Sequence, residues 1–253
     1  MLFDVKQAIC AVAKEKNFRE KLFVGTFLIM LANFLSTLNF RHVSAASSQS
    51  PLAQFNLFAG FAVLFAVFCY LLAYLNNKIN DKEMPLWSDV YKYFVKGFKL
   101  LLSNILIGVP AFLFNGFWLY VFFYLNTTSP EAGKSLLGLG VQALIYLGWF
   151  AFVFVSILQT AIFAKRLKFR DFFNFVKGYY SLAGNFGAFL AFCAVVFCLM
   201  TLWVWVSMLA KNAGAYSYLL ILLLSSPVFY IMTVYVDLLA QWAQKSYSTD
   251  DSE

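Results

Sequence analysis

Six stretches of this chain carry no Asp, Glu, Lys or Arg: residues 22–40, 43–77, 100–130, 135–164, 178–210 and 212–236. An α-helix rises 1.5 Å per residue, so about 20 apolar residues cross about 30 Å of hydrocarbon. Trimming the stretches at their polar ends predicts spanning helices over 22–40, 55–75, 100–125, 136–164, 183–209 and 218–239. With 62% hydrophobic and only 12% charged residues, the chain has about half the charge of a soluble domain. The expected fold is therefore all-α: a polytopic membrane helix bundle of six transmembrane helices. It forms a single membrane domain over residues 1–253, with a short acidic tail at 246–253.

The connections between these spans reach only roughly 20 to 25 residues, too short for a separate catalytic domain. The first apolar run follows a charged segment, is long for a signal-peptide core and precedes no convincing small-residue cleavage site, so it is read as a retained first helix. Orientation follows from the cations. Sixteen of the 19 Lys and Arg residues fall on the side that holds both termini, and three, Arg41, Lys134 and Lys211, on the other. Such asymmetry over short loops places both ends in the cytoplasm. The net charge of +7 is thereby a topology effect, and no nucleic-acid partner is expected.

The chain reads as one unit used three times, over 1–80, 81–165 and 166–245, each a hairpin preceded by a cytoplasmic amphipathic segment. Phe94-Val95-Lys96-Gly97-Phe98 recurs as Phe175-Val176-Lys177-Gly178-Tyr179, with Leu101 and Asn104 matched by Leu182 and Asn185. Phe23-Val24-Gly25 with Asn33 downstream is a weaker copy, and chance similarity in a Phe-rich chain is the competing explanation. In the second segment Trp87, Tyr91, Phe94 and Phe98 recur at helical spacing, with Asp89, Lys92, Lys96 and Lys99 opposite and Pro85 in the first turn. A helix of this kind lies in the headgroup region. The third segment (Phe169, Phe172, Phe173 and Val176 against Lys168, Asp171 and Lys177) and the N-terminal one (Leu2, Val5, Ile9 and Val12 against Asp4, Lys6 and Lys14) divide less cleanly. Candidate lipid contacts are Trp87, Lys92, Lys96, Lys99, Lys168, Arg170 and Lys177. Solvated loops with aromatic anchors are the alternative.

The segment Met84-Pro85-Leu86-Trp87-Ser88-Asp89, followed by Gly97-Phe98-Lys99, resembles the signature of a prokaryotic membrane family catalogued as a domain of unknown function, number four thousand and thirteen. That signature reads approximately Leu-Pro-x-Trp-x-Asp and then Gly-Leu-Lys; here Met84 replaces the Leu, and Leu86 stands where an acid is frequent. Asn17-Phe18, Lys21-Leu22 and Gly25 are similar to the family's opening, with Phe18 where Trp is usual. The resemblance covers about the first 115 residues. It implies the plasma (inner) membrane of a bacterium or archaeon and brings no activity or catalytic residue.

Reactive chemistry is sparse. His42 is the only histidine and falls on the outer side, whereas every Asp is assigned to the cytoplasmic side or the end of the last helix. No Ser-His-Asp relay or histidine metal site can therefore assemble across the bilayer, and no cofactor or metal is expected. Four cysteines form no CxxC pair and read as small apolar residues. Asn33, Asn104 and Asn185 are candidates for buried amides, bonding helix to helix or contacting a solute. Asp237 is the acid within the last span, near a helix C-terminus where the dipole disfavours a carboxylate. It either reaches the aqueous interface or pairs with a cytoplasmic cation, for which Lys96 and Lys177 are the candidates. The expected function is a non-enzymatic integral membrane protein that organises lipid, preferentially anionic, or partner proteins, whether other membrane proteins or copies of itself, at the cytoplasmic face. The alternative is a permease or channel for a neutral or amphipathic solute.

Overall fold

The computed structural model describes residues 5–43, 51–128, 131, 136–176, 217–248 and seven helical positions scattered between 186 and 201. Among these residues all regular structure is helical. The elements are α1 (Val5–Lys14), α2 (Phe18–Val43), α3 (Pro51–Ile79), a 3-10 helix (Trp87–Tyr93), α4 (Phe94–Thr128), α5 (Leu136–Arg166), α6 (Phe169–Phe172) and α7 (Ser217–Ser248). Five of the six predicted spans fall inside α2, α3, α4, α5 and α7. The span at 183–209 lies almost wholly outside the described residues, as do Lys177 and Asn185. Three stretches, Gln54–Ile79, Trp87–Thr128 and Leu137–Arg166, are long and apolar enough to cross a membrane, which marks the chain as a membrane protein.

Local chemistry sets the helix ends. Pro51 opens α3, where its missing N–H is no loss. At the other end Asp81 takes a left-handed conformation (φ 55°). Its N–H donates to the Lys78 carbonyl at 3.2 Å and the Lys82 N–H to the Asn77 carbonyl at 2.8 Å, a Schellman closure that satisfies two terminal carbonyls. Asn17 (φ 56°) makes the corner between α1 and α2, and Leu167 (φ 54°) ends α5. Asn tolerates that region through its short polar side chain. Pro110 and Pro227 sit inside α4 and α7 without ending either helix.

The chain divides into two compact units, residues 1–97 with 179–253, and residues 98–178. In the first, α2, α3 and α7 pack on one another, and α1 lies mainly against α7. The repeated glycines have a packing reason here. A methyl group on Gly25 would overlap the Phe229 ring, and one on Gly97 would strike Cys69 Sγ. Each glycine is the notch into which a neighbouring helix's side chain fits. Gly25 falls at the start of the first predicted span and Gly97 just before the third.

In the second unit α4 meets α5 through Phe112 and Trp149, edge to face at 5.1 Å between ring centroids. Asn115 occupies a notch at Gly148, where a Cβ would fall 2.7 Å from its Oδ1. After Leu167 the chain turns back so that Phe172, fully buried, packs edge-on against Phe163.

Candidate functional site

The polar residues of the first unit converge where α1 ends, α3 ends and α7 approaches its C-terminus. On α3, Tyr74 and Lys78 are four residues apart and share a face; on α7, Asp237, Gln241 and Gln244 do likewise. Lys78 Nζ is 2.6 Å from Glu15 Oε1 and 3.7 Å from Asp237 Oδ1. Asp237 is 5% exposed. It accepts hydrogen bonds from Gln241 Nε2 at 3.0 Å and from the Tyr74 hydroxyl at 3.4 Å. Gln244 Nε2 donates to the Lys78 carbonyl at 2.7 Å and to Asp81 Oδ1 at 2.9 Å, tying α7 to the closing turn of α3. Beside this cluster lies a cavity of about 360 Å³ whose walls include Glu15, Lys78, Asp237 and Gln241.

Next to it, the residues that carry the family-like signature form a clamp. Lys21, 4% exposed, donates from Nζ to the Met84 carbonyl at 2.7 Å, while the Met84 N–H donates to Glu15 Oε2 at 3.2 Å. Trp87 Nε1 returns a bond to the Lys21 carbonyl at 3.0 Å, and the Tyr70 hydroxyl donates to the Pro85 carbonyl at 3.2 Å. The Trp87 ring stacks on Tyr70 at 4.0 Å and meets Phe229, the ring that fills the Gly25 notch. Burial pulls the Lys21 ammonium below its ordinary pKa, and Glu15, foremost among the nearby carboxylates, opposes that shift. The signature is thus the buckle between the start of α2, the end of α3 and α7.

Two expectations change on these facts. Residues 87–93 form a 3-10 helix rather than an amphipathic α-helix, and Trp87 is half-buried against α2 and α3, because Lys21 offers its indole N–H an acceptor and Tyr70 a stacking face. The cation at Asp237 is Lys78 rather than Lys96, and the carboxylate is buried rather than extended into water.

The other candidates separate by exposure. Lys92 is exposed and pairs with Asp89 at 2.6 Å, since positions three apart eclipse in a 3-10 helix. Lys99, Lys168 and Arg170 are exposed, and Lys96 is half-buried. Asn104 bonds helix to helix: its Oδ1 accepts from the Ser156 hydroxyl on α5, and its Nδ2 donates to the Leu100 carbonyl at 3.0 Å. Asn33 is half-buried on α2. Sequence reasoning missed Glu15, Lys21, Tyr74 and Lys78. The available signal was the polar stripe Asp237, Gln241, Gln244 on a largely apolar helix, which demands a polar face opposite.

A family model described as "Protein of unknown function (DUF4013)" matches residues 52–211. The match reaches well past the first 115 residues and leaves the Asn17 to Gly25 opening outside it. No curated protein and no solved structure matches the chain.

Proposed function

The chain belongs to the family described as a protein of unknown function (DUF4013), and we propose that it is a non-enzymatic integral membrane protein that gathers anionic lipid, or partner proteins, at the cytoplasmic face of a prokaryotic plasma membrane. In this reading it crosses the bilayer six times as three hairpins, with both termini inside. The observation that carries it is the entry to α4. Tyr91 near the end of the 3-10 helix and Val95 and Phe98 in the first turns of α4 are 66%, 64% and 60% exposed. Lys92, Lys96 and Lys99 follow one position on from each, and Lys92 and Lys99 are exposed. An apolar stripe bordered by a basic one suits the boundary between acyl chains and anionic headgroups, where each Lys is worth about 1 kcal/mol of surface attraction, weakened by salt.

The test is lipid retention. Protein purified from mixed vesicles of phosphatidylglycerol and phosphatidylcholine should keep the anionic lipid in excess. The triple substitution Lys92→Gln, Lys96→Gln, Lys99→Gln should reduce that excess. Equal retention of both lipids by the parent protein, with no partner captured, refutes the proposal. Its topology is checked separately: single cysteines at Ser48 and Ser129 should label from outside, and those at Ser88 and Ser248 should not.

The alternative, a permease or channel for a neutral or amphipathic solute, has one observation in its favour. Asn115 Oδ1 and Gln159 Oε1 are buried and accept no hydrogen bond among the described residues. Such acceptors suit a solute's donors. Solute-dependent swelling of proteoliposomes that is lost on Gln159→Leu would support it, and swelling no faster than empty liposomes would eliminate it.

A further inference from the structure

Lys78 is a single cation between two carboxylates that hold it unequally: 2.6 Å from Glu15 and 3.7 Å from Asp237. The first distance is a full charge-assisted hydrogen bond and the second is not. The Lys78, Glu15 and Asp237 side chains are 22%, 10% and 7% exposed. The adjoining cavity of about 360 Å³ leaves the ammonium room to move from one partner toward the other. Asp81, Lys82 and Glu83 are exposed on its walls.

The two carboxylates sit in segments of very different anchorage. Asp237 is fixed by Gln241 within α7 and by the Tyr74 hydroxyl of α3. Glu15 follows α1, whose described side chains bury only Ala8 and Val12; among the described residues the Tyr230 hydroxyl donates to the Ile9 carbonyl at 3.2 Å, and Glu15 itself accepts from the Met84 N–H at 3.2 Å. The corner at Asn17 is one residue in the left-handed region, where a small dihedral change swings the whole segment. Segments with few buried contacts open at a small fraction of the global unfolding free energy.

We infer that α1 is a releasable strap, and that exchange of Lys78 between Glu15 and Asp237 sets whether it is docked. Pairing with Glu15 ties the end of α1 to α3, and transfer of the ammonium to Asp237 removes that tie, leaving Glu15 the bond from the Met84 N–H. Only ion-pair partners change, so the equilibrium answers to whatever favours one pair over the other. The strap is independent of the lipid-gathering reading and survives that reading's failure.

The consequence is a pair of opposite signs. In full-length protein in nanodiscs, with the native cysteines replaced, a maleimide reports opening of α1 at Val12→Cys and of the core at Ala73→Cys, both positions being fully buried. Glu15→Gln should raise the Val12→Cys labelling rate on the order of tenfold, the factor for losing one charged hydrogen bond. Asp237→Asn should lower that rate below the parent's, because Lys78 is left to Glu15 alone. Gln241→Met, which takes a donor from Asp237, should raise it, and Ala73→Cys should stay protected throughout. A merely structural cluster gives a different pattern, with Glu15→Gln and Asp237→Asn both accelerating labelling at Val12; that result, or a Glu15→Gln rate equal to the parent's, overturns the inference. Should Asp237→Asn expose Ala73→Cys as well, Gln241→Met decides, and an unchanged or slower rate there overturns it.

Discussion

The two units meet the membrane with different means of cohesion. In the first, α3 buries 39% of its most apolar stretch, and the bundle is keyed by the clamp at Met84 to Trp87 and by the ionic cluster at Lys78. In the second, α5 buries only 11% of its own, and Phe112, Phe117, Tyr120, Tyr146 and Phe150 are exposed. Lipid is as apolar as those rings, so hydrophobicity gives two helices no reason to associate there. What remains is shape and hydrogen bonding: an edge-to-face aromatic contact, an amide in a glycine notch and the Asn104 to Ser156 bond. The first unit is specified by directional polar contacts at one end. The second is specified by a few contacts spread along α4 and α5.

The comparison is broken most forcefully at a glycine. A methyl on Gly25 must displace Phe229, which is fully buried and held against Tyr70 and Trp87, so the ring has nowhere to turn. Overpacking of this kind costs about 1–3 kcal/mol, and Gly25→Ala should sit at the top of that range. Gly140 in α5 has nothing within 4 Å of the corresponding position. There Gly140→Ala should stabilise by up to about 1 kcal/mol through helix propensity alone. Thermal unfolding in detergent measures both; equal effects would mean that the first unit is no more tightly specified than the second.

The next effect lies in the ionic cluster. Lys78→Gln strands two largely buried carboxylates, whereas Asp237→Asn leaves the short Lys78 to Glu15 pair intact. Removing one member of a buried pair costs about 3–5 kcal/mol in full; the partial exposure of Lys78 reduces the expectation to about 2 kcal/mol. Asp237→Asn alone should cost less, and the double substitution less than the sum. Strict additivity in this cycle would remove Asp237 from the cluster. A matching cycle with Lys96→Gln should be additive.

Much of this architecture was legible in the sequence because it follows from composition. Runs without charge locate the five described long helices. Legibility stopped where the determinant was a long-range pairing. Lys21 and Lys78 read as topology-setting surface charges and Glu15 carried no reading, and only the fold brings them to Asp237 and Met84, 63 residues from Lys21 in the chain. Trp87 misled for the same reason: an aromatic beside a basic run suits lipid equally well until an acceptor for its indole N–H is found in α2. Asn104 was legible as an amide in need of a partner, but not that the partner is Ser156.

That last pair gives the smallest and most discriminating effect. Asn104 has two bonds of different reach: Nδ2 to the Leu100 carbonyl within α4, and Oδ1 from Ser156 across to α5. The first survives in an isolated helix, and only the second contributes to holding the second unit together. Interhelical hydrogen bonds in membranes average about 0.6 kcal/mol and reach about 1–2 kcal/mol, because the separated helices find other partners. Ser156→Ala should therefore cost about 0.6–1 kcal/mol. Asn104→Leu should cost no more, since leucine is readily accommodated in lipid and Ser156 can bond back to its own helix. The two together should cost about as much as either alone. A larger single effect, or additivity, would show that the second unit leans on polar keys as heavily as the first, and the contrast between the units would fail.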